Sequence, residues 1–184
     1  MDIGELKTAA EVIRSGGIVA YPTESCYGLG CDPGQNKAIR RLLRIKRRQW
    51  QQGLIIISAR LQQLLRYIER DPGRLKRAIA VWPGPVTWLM PVRPRVSRWL
   101  TGENPAIAVR VTAHRGAAAL CNHARTALVS TSANRHSRPP ARSAGAVYRE
   151  FGDEIDFILT GSLGGHLSPS EISDAATNQV LRSG

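Results

Sequence analysis

Apolar positions along this chain alternate between helical and extended spacing. Near the start, Ala9, Val12 and Ile13 recur at three- and four-residue steps behind Asp2-Ile3-Gly4-Glu5, a capping-box pattern that opens a helix. Gly16-Gly17 ends it. Ile18-Val19-Ala20-Tyr21 is then a short, continuously apolar run halted by Pro22, which predicts a buried strand. A loop rich in glycine, cysteine and proline is expected as far as Asn36, which reads as the cap of a second helix. That helix carries Ile39, Leu42 and Leu43 on one face and Lys37, Arg40, Arg41, Arg44 and Arg48 mostly on others. Leu54 to Ser58, Leu-Ile-Ile-Ile-Ser, is the clearest strand in the chain.

Farther along, helices are predicted over about 60–69 and 73–81, leading into the rigid turn Trp82-Pro83-Gly84-Pro85. Strands follow over 86–92 and 107–111, a helix over 114–123, a strand over 127–129, a helix over 143–151 and a strand over 157–159. Strands and helices alternate with no break in composition, no repeat and no long linker. The pattern predicts a single α/β domain, residues 1–184, built on a twisted mixed sheet.

Composition changes this picture in one respect. The 42% hydrophobic and 22% charged fractions are ordinary, but 26 basic residues face 14 acidic ones, a formal net charge of +12. Such a field favours polyanionic partners; the alternative is a general bias toward arginine, since only Lys7, Lys37, Lys46 and Lys76 are lysines. The charge is clustered. Between Pro33 and Ile68 no acidic residue occurs, and Lys37, Arg40, Arg41, Arg44 and Arg47 are expected to form a surface for the phosphates of tRNA or double-stranded RNA. Cys26, Cys31 and Cys121 are odd in number and lack metal-finger spacing, which points to reduced thiols. No apolar run approaches the roughly 18 residues of a membrane span, and the N-terminus carries Asp2 and Glu5 in place of a leader, so a cytoplasmic, non-membrane protein is expected.

The candidate chemistry is divided between two segments. Lys46-Arg47-Arg48 supplies fixed positive charge, and Ser130-Thr131-Ser132-Ala133-Asn134 supplies small hydroxyl and amide groups more than eighty residues later. Together they suit a phosphorylated ligand with polar handles. A Walker loop, a Gly-x-Gly-x-x-Gly turn, His-Glu-x-x-His and a Gly-x-Ser-x-Gly elbow are all missing, so a nucleotide would have to be held by another route.

In order, the chain reads Ala20-Tyr21-Pro22-Thr23-Glu24, Tyr27-Gly28-Leu29-Gly30-Cys31-Asp32, Lys46-x-Arg48, Trp82-Pro83-Gly84-Pro85-Val86-Thr87, Ala108-Val109-Arg110-Val111, Ser130 to Asn134, and Ser168-Pro169-Ser170-Glu171-Ile172 with Asp174-Ala175. This series closely resembles the YrdC family, from about residue 5 to the C-terminus. The resemblance implies a twisted α/β fold with a large, basic concave face. It also implies a reaction in which L-threonine, bicarbonate and ATP give threonylcarbamoyl-AMP and pyrophosphate, with a separate complex passing the threonylcarbamoyl group to tRNA.

On that resemblance Lys46 and Arg48 are the catalytic cations for the α-phosphate and the departing pyrophosphate; otherwise they are solvated charges of a basic helix. Residues i and i+2 do not share a helical face, so the pair is expected where the helix unwinds. Thr23 matches a position that contacts threonine, or is a turn residue after proline. Thr87 and Arg110 match positions near strand ends, and Arg110 is either a bidentate carboxylate clamp or an ordinary sheet-edge arginine. Ser132 and Asn134 match a nucleotide-binding Ser-x-Asn element, with Ser130 sharing the face of Ser132 along an extended chain. Arg142 lies in a loop that approaches the nucleotide. Mg²⁺ is expected to arrive with ATP, held by phosphates and water.

Three positions depart from the family pattern. Gln52 stands where a lysine is usual, Gln49 replaces a proline, and Arg135-His136-Ser137 replaces a Ser-Gly pair after Asn134. Loss of the lysine favours a second reading, a basic RNA-binding module that has lost synthesis; the retained Thr23, Lys46, Arg48, Ser132 and Asn134 favour the synthase.

Overall fold

The computed structural model describes residues 2–135 and 138–184. Nine strands form one sheet. They are β1 (Val19–Pro22), β2 (Tyr27–Gly30), β3 (Ile55–Ser58), β4 (Val86–Pro91), β5 (Ala106–Val111), β6 (Leu128–Ser132), β7 (Phe157–Ile158), β8 (Glu171–Asp174) and β9 (Val180–Arg182). Their order is β7-β1-β2-β6-β3-β5-β4-β8-β9. The sheet is mixed: β1 with β7, β3 with β5 and β4 with β8 run parallel, and the other neighbours run antiparallel.

Alternate residues of the central strands enter two cores. Val19, Tyr21, Ile57 and Leu128 meet α1 (Ile3–Arg14) and α6 (Arg115–Ala124) on one face. Ala20, Ile56 and Val129 meet α2 (Asn36–Lys46) and α7 (Ala144–Phe151) on the other. Three shorter helices complete the fold: α3 (Leu61–Leu64), α4 (Pro72–Val81) and α5 (Arg98–Thr101). The predicted capping box is half realised, with Asp2 Oδ1 accepting from the Glu5 N–H at 2.9 Å.

The structure corrects several element boundaries. The expected loop before Asn36 contains β2, because Tyr27 to Gly30 pairs with β1 on one side and β6 on the other. The helix expected over 60–69 stops at Leu64. Beyond it Tyr67 and Ile68 are drawn to the end of β4, where Ile68 bridges Val92 and Tyr67 O accepts from Arg93 N at 3.0 Å. Strand β6 runs on to Ser132, and β8, β9 and α5 were not foreseen. Cys26, Cys31 and Cys121 are free thiols, as expected. No helix is long and apolar enough to cross a membrane among the described residues.

Candidate active site

On the α1/α6 face the helices leave part of the sheet uncovered, and the side chains there are small. Gly28, Ala106, Ala108 and Ser130 form much of the floor of a cavity of about 520 Å³. Register places Ile55 beside both Ala108 and Ser130, so this floor is continuous across β5, β3 and β6. Gly28 keeps it open: a Cβ there would lie 3.2 Å from Thr23 Cγ2 and 3.5 Å from Ser130 Oγ.

Four arginines, Arg48, Arg110, Arg142 and Arg182, line the walls, and no carboxylate does among the described residues. Helix α2 ends at Lys46; Arg47 takes the left-handed conformation with φ 50°, and Arg48 leaves the helix axis toward the cavity. The predicted unwinding between Lys46 and Arg48 is therefore present. Arg48 donates Nη2 to Gly53 O at 3.0 Å, and its buried Nε has no hydrogen-bond partner. Gly53 has φ 66°, and a Cβ on it would lie 2.8 Å from Thr101 O. Glycine is required there to close the wall. Arg142 Nη1 donates to Ser25 O at 2.9 Å, and Arg182 Nη2 to Ser170 O at 2.7 Å. Burial and then the neighbouring Arg182 hold the Arg48 pKa below its ordinary value; burial and then Arg110 do the same for Arg182. These guanidinium groups feel one another, an arrangement that gains from a bound anion.

Lys46 is buried and sits behind this wall without lining it. Its Nζ donates to Ser132 O at 2.6 Å, to Asn134 Oδ1 at 3.1 Å and to Asn134 O. Burial, and then Arg48, lower its pKa to about 8. Ser132 lines the cavity and its hydroxyl donates to Asn134 Oδ1 at 2.6 Å, whereas Asn134 stands behind it. Of the remaining expected site residues, Thr23, Gln52, Ser130, Arg110 and Arg142 reach the cavity. Thr23 does so while also closing a turn, its hydroxyl donating to Cys26 O at 2.8 Å. Thr87 does not reach it: the side chain is fully buried and donates to Ser170 Oγ at 3.0 Å, and Ser170 is the hydroxyl exposed to the cavity. Arg110 is not on a sheet edge, since β5 lies between β3 and β4.

Sequence reasoning missed Ser25, Cys26, Asn104, Ser170 and Arg182 as lining residues. Ser170 stood inside a recognised motif, and Arg182 carried no local signal because the β8–β9 hairpin that aims it was not foreseen. Of the departures from the family pattern, His136 and Ser137 lie outside the described residues. The donor set also bears on Mg²⁺. With no carboxylate on the cavity wall among the described residues, this chain's side chains do not suit a metal ion, and no step is assigned to one.

A large, arginine-walled cavity with no carboxylate on its wall among the described residues, set on a mixed α/β sheet, defines an enzyme-like pocket for an anionic ligand. The chain belongs to the Sua5/YciO/YrdC family, whose model, described as "Telomere recombination", matches residues 11–184. It is 49% identical over 178 residues to the threonylcarbamoyl-AMP synthase of Nitrosococcus oceani, covering 96% of each chain. Among solved structures it superposes on P. abyssi Sua5 complexed with L-threonine with a TM-score of 0.88 at 32% identity, covering 95% of this chain and 52% of that one. It superposes on E. coli YciO with a TM-score of 0.80 at 26% identity, covering 92% and 82%. The chain thus spans about half the length of the P. abyssi Sua5 structure and most of that of YciO.

Proposed function

We propose that the cavity holds ATP and L-threonine side by side and joins them, with bicarbonate, into threonylcarbamoyl-AMP and pyrophosphate. The activity of the chain is threonylcarbamoyl-AMP synthesis, a nucleotidyl transfer that serves threonylcarbamoyladenosine formation in tRNA. The observation that supports this reading best is the wall of four arginines without a carboxylate, beside a row of hydroxyl groups on a floor of small residues. The RNA-only alternative leaves that cavity without an occupant.

The chemistry assigns the residues. The threonine amine takes up the carbon of bicarbonate with loss of water, forming an N-carboxy species. An oxygen of that carboxylate bonds to the α-phosphorus, and the bond from the α-phosphorus to the pyrophosphate oxygen breaks. Negative charge rises on the α-phosphate and the leaving group, where preorganised cations lower the barrier. Arg48 meets that charge directly, with Arg182 beside it. Lys46 supplies charge from behind the Ser132–Asn134 turn, which it also holds in place. Ser130, Ser132, Gln52 and Arg142 contact the nucleotide, with Asn134 orienting Ser132. Arg110 binds the threonine carboxylate, Thr23 accepts from the threonine hydroxyl, and Thr87 orients Ser170 toward the same substrate. Mg²⁺ arrives with the triphosphate, held by phosphate oxygens and water.

The exposed Lys37, Arg40, Arg44 and Arg47 of the α2 segment serve tRNA or double-stranded RNA, in a cytoplasmic setting, and a downstream transfer complex takes the product. Calorimetric titration tests the shared cavity. Threonine is expected to bind more tightly when a non-hydrolysable ATP analogue is present. Competition between the two, or equal threonine affinity for the wild type and Arg110→Ala, would contradict the assignment.

A further inference from the structure

The arginine proposed to receive the threonine carboxylate is held by a carboxylate of its own. Glu24 lies beneath the cavity wall and is 7% exposed; Arg110 is 6% exposed. Glu24 Oε1 forms an ion pair with Arg110 Nη1 at 3.1 Å and accepts a hydrogen bond from Thr112 Oγ1 at 2.6 Å. Thr112 is in turn fixed, its hydroxyl oxygen accepting from His114 N at 3.1 Å. The Glu24 backbone is tied as well, since its carbonyl accepts from His166 N at 2.9 Å. One carboxylate oxygen, Oε2, and the Arg110 Nε have no hydrogen-bond partner among the described residues. Glu24 itself does not line the cavity, although its neighbours Thr23 and Ser25 do.

A buried arginine on a central strand can occupy several rotamers, and its neighbour Arg182 repels it. Nothing on the cavity wall itself offers a counter-charge among the described residues. We propose that Glu24 is a positioning residue: it pins one end of the Arg110 guanidinium, leaving the other N–H groups directed at the substrate carboxylate. This rests on the assignment of Arg110 to threonine. A planar, five-donor cation is well suited to the task, because one edge can serve a protein carboxylate while another serves a ligand. Placing Glu24 next to Thr23 in the same turn also couples the two groups proposed to contact threonine, so a single loop sets both its hydroxyl and its carboxylate sites.

The test is a double-mutant cycle read in steady-state kinetics, with KM for threonine and for ATP measured separately. Glu24→Ala is expected to raise the threonine KM at least tenfold with the ATP KM changed less than twofold. Glu24→Gln, whose amide oxygen can still accept from Thr112 and present its dipole to Arg110, is expected to restore most of that loss. Combining Glu24→Ala with Arg110→Ala should add little to Arg110→Ala alone. Thr112→Val serves as a second probe if Glu24→Ala does not fold: it removes one bond to Glu24 without changing charge, and a threefold or greater rise in threonine KM alone is expected. Additive effects in the cycle, equal changes in both KM values, or a Thr112→Val enzyme with unchanged threonine KM would overturn the positioning role. Failure of the underlying assignment looks different: Arg110→Ala would then leave the threonine KM untouched.

Discussion

Lys46 Nζ lies 2.6 Å from the carbonyl oxygen of Ser132. The bond spans 86 residues and joins the last residue of α2 to the last residue of β6. Two segments that look unrelated along the chain thereby become one corner of the cavity. The ammonium is held by the turn whose Ser132 lines the cavity, so its charge and the position of Ser132 cannot vary independently.

Because burial lowers the Lys46 pKa to about 8, the free enzyme loses this charge as pH rises through that value. The sign for stability is opposite. A lysine whose folded pKa lies below its unfolded one burdens folding at neutral pH and is relieved above pH 8, so this group does not promote unfolding there. Wild-type kcat/KM for ATP should therefore decline above about pH 8 while the fold persists. Lys46→Gln should be roughly a hundredfold less active at pH 7 and should lack that alkaline limb. An identical limb in the variant would remove Lys46 from the account.

Arg182 is the strongest addition to the site that the fold supplies. It lies on the exposed strand β9 with its guanidinium against the cavity. Arg182→Ala should cost roughly tenfold to a hundredfold in kcat/KM for ATP, with little change in melting temperature. Kinetics and a thermal melt on the same preparation check both halves.

The alternation of apolar runs made the α/β class and most helices readable, and the two halves of the site could be found because Lys46-x-Arg48 and Ser132-x-Asn134 are each local. What joins them is not local. Tyr27 to Gly30 reads as a turn-rich loop because glycines lower strand propensity, yet it becomes a central strand once β1 and β6 flank it. Thr87 matched a motif, but its position under Ser170 depends on the parallel pairing of β4 with β8, far apart in sequence. Arg110 left two readings open because a strand's place in the sheet is fixed by its partners.

Arg47 sits in a strained backbone conformation. Its φ of 50° favours glycine, so Arg47→Gly should stabilise the protein by about 0.5–1 kcal/mol. Together with Lys37, Arg40 and Arg44 it forms the exposed basic surface of this segment, whereas Arg41 is paired with Asp156 at 2.5 Å. Replacing Lys37, Arg40, Arg44 and Arg47 by Gln should flatten the salt dependence of tRNA binding, reducing its log–log slope by roughly 3. Arg41→Gln should change it little. An unchanged slope in the fourfold variant would place RNA elsewhere.

Gln52 lines the cavity at the position where the family resemblance leads one to expect lysine. Gln52→Lys should lower the ATP KM and raise turnover several-fold, since it adds a cation where phosphate charge accumulates. A drop in activity would mean that the cavity has been rebuilt around the amide.

One cavity is proposed to perform threonine-dependent adenylyl transfer. The most direct measurement is pyrophosphate release from ATP and bicarbonate, with and without L-threonine. Release that requires threonine and is lost in Arg48→Ala is the predicted result. A protein that binds ATP but releases no pyrophosphate on adding threonine would contradict it.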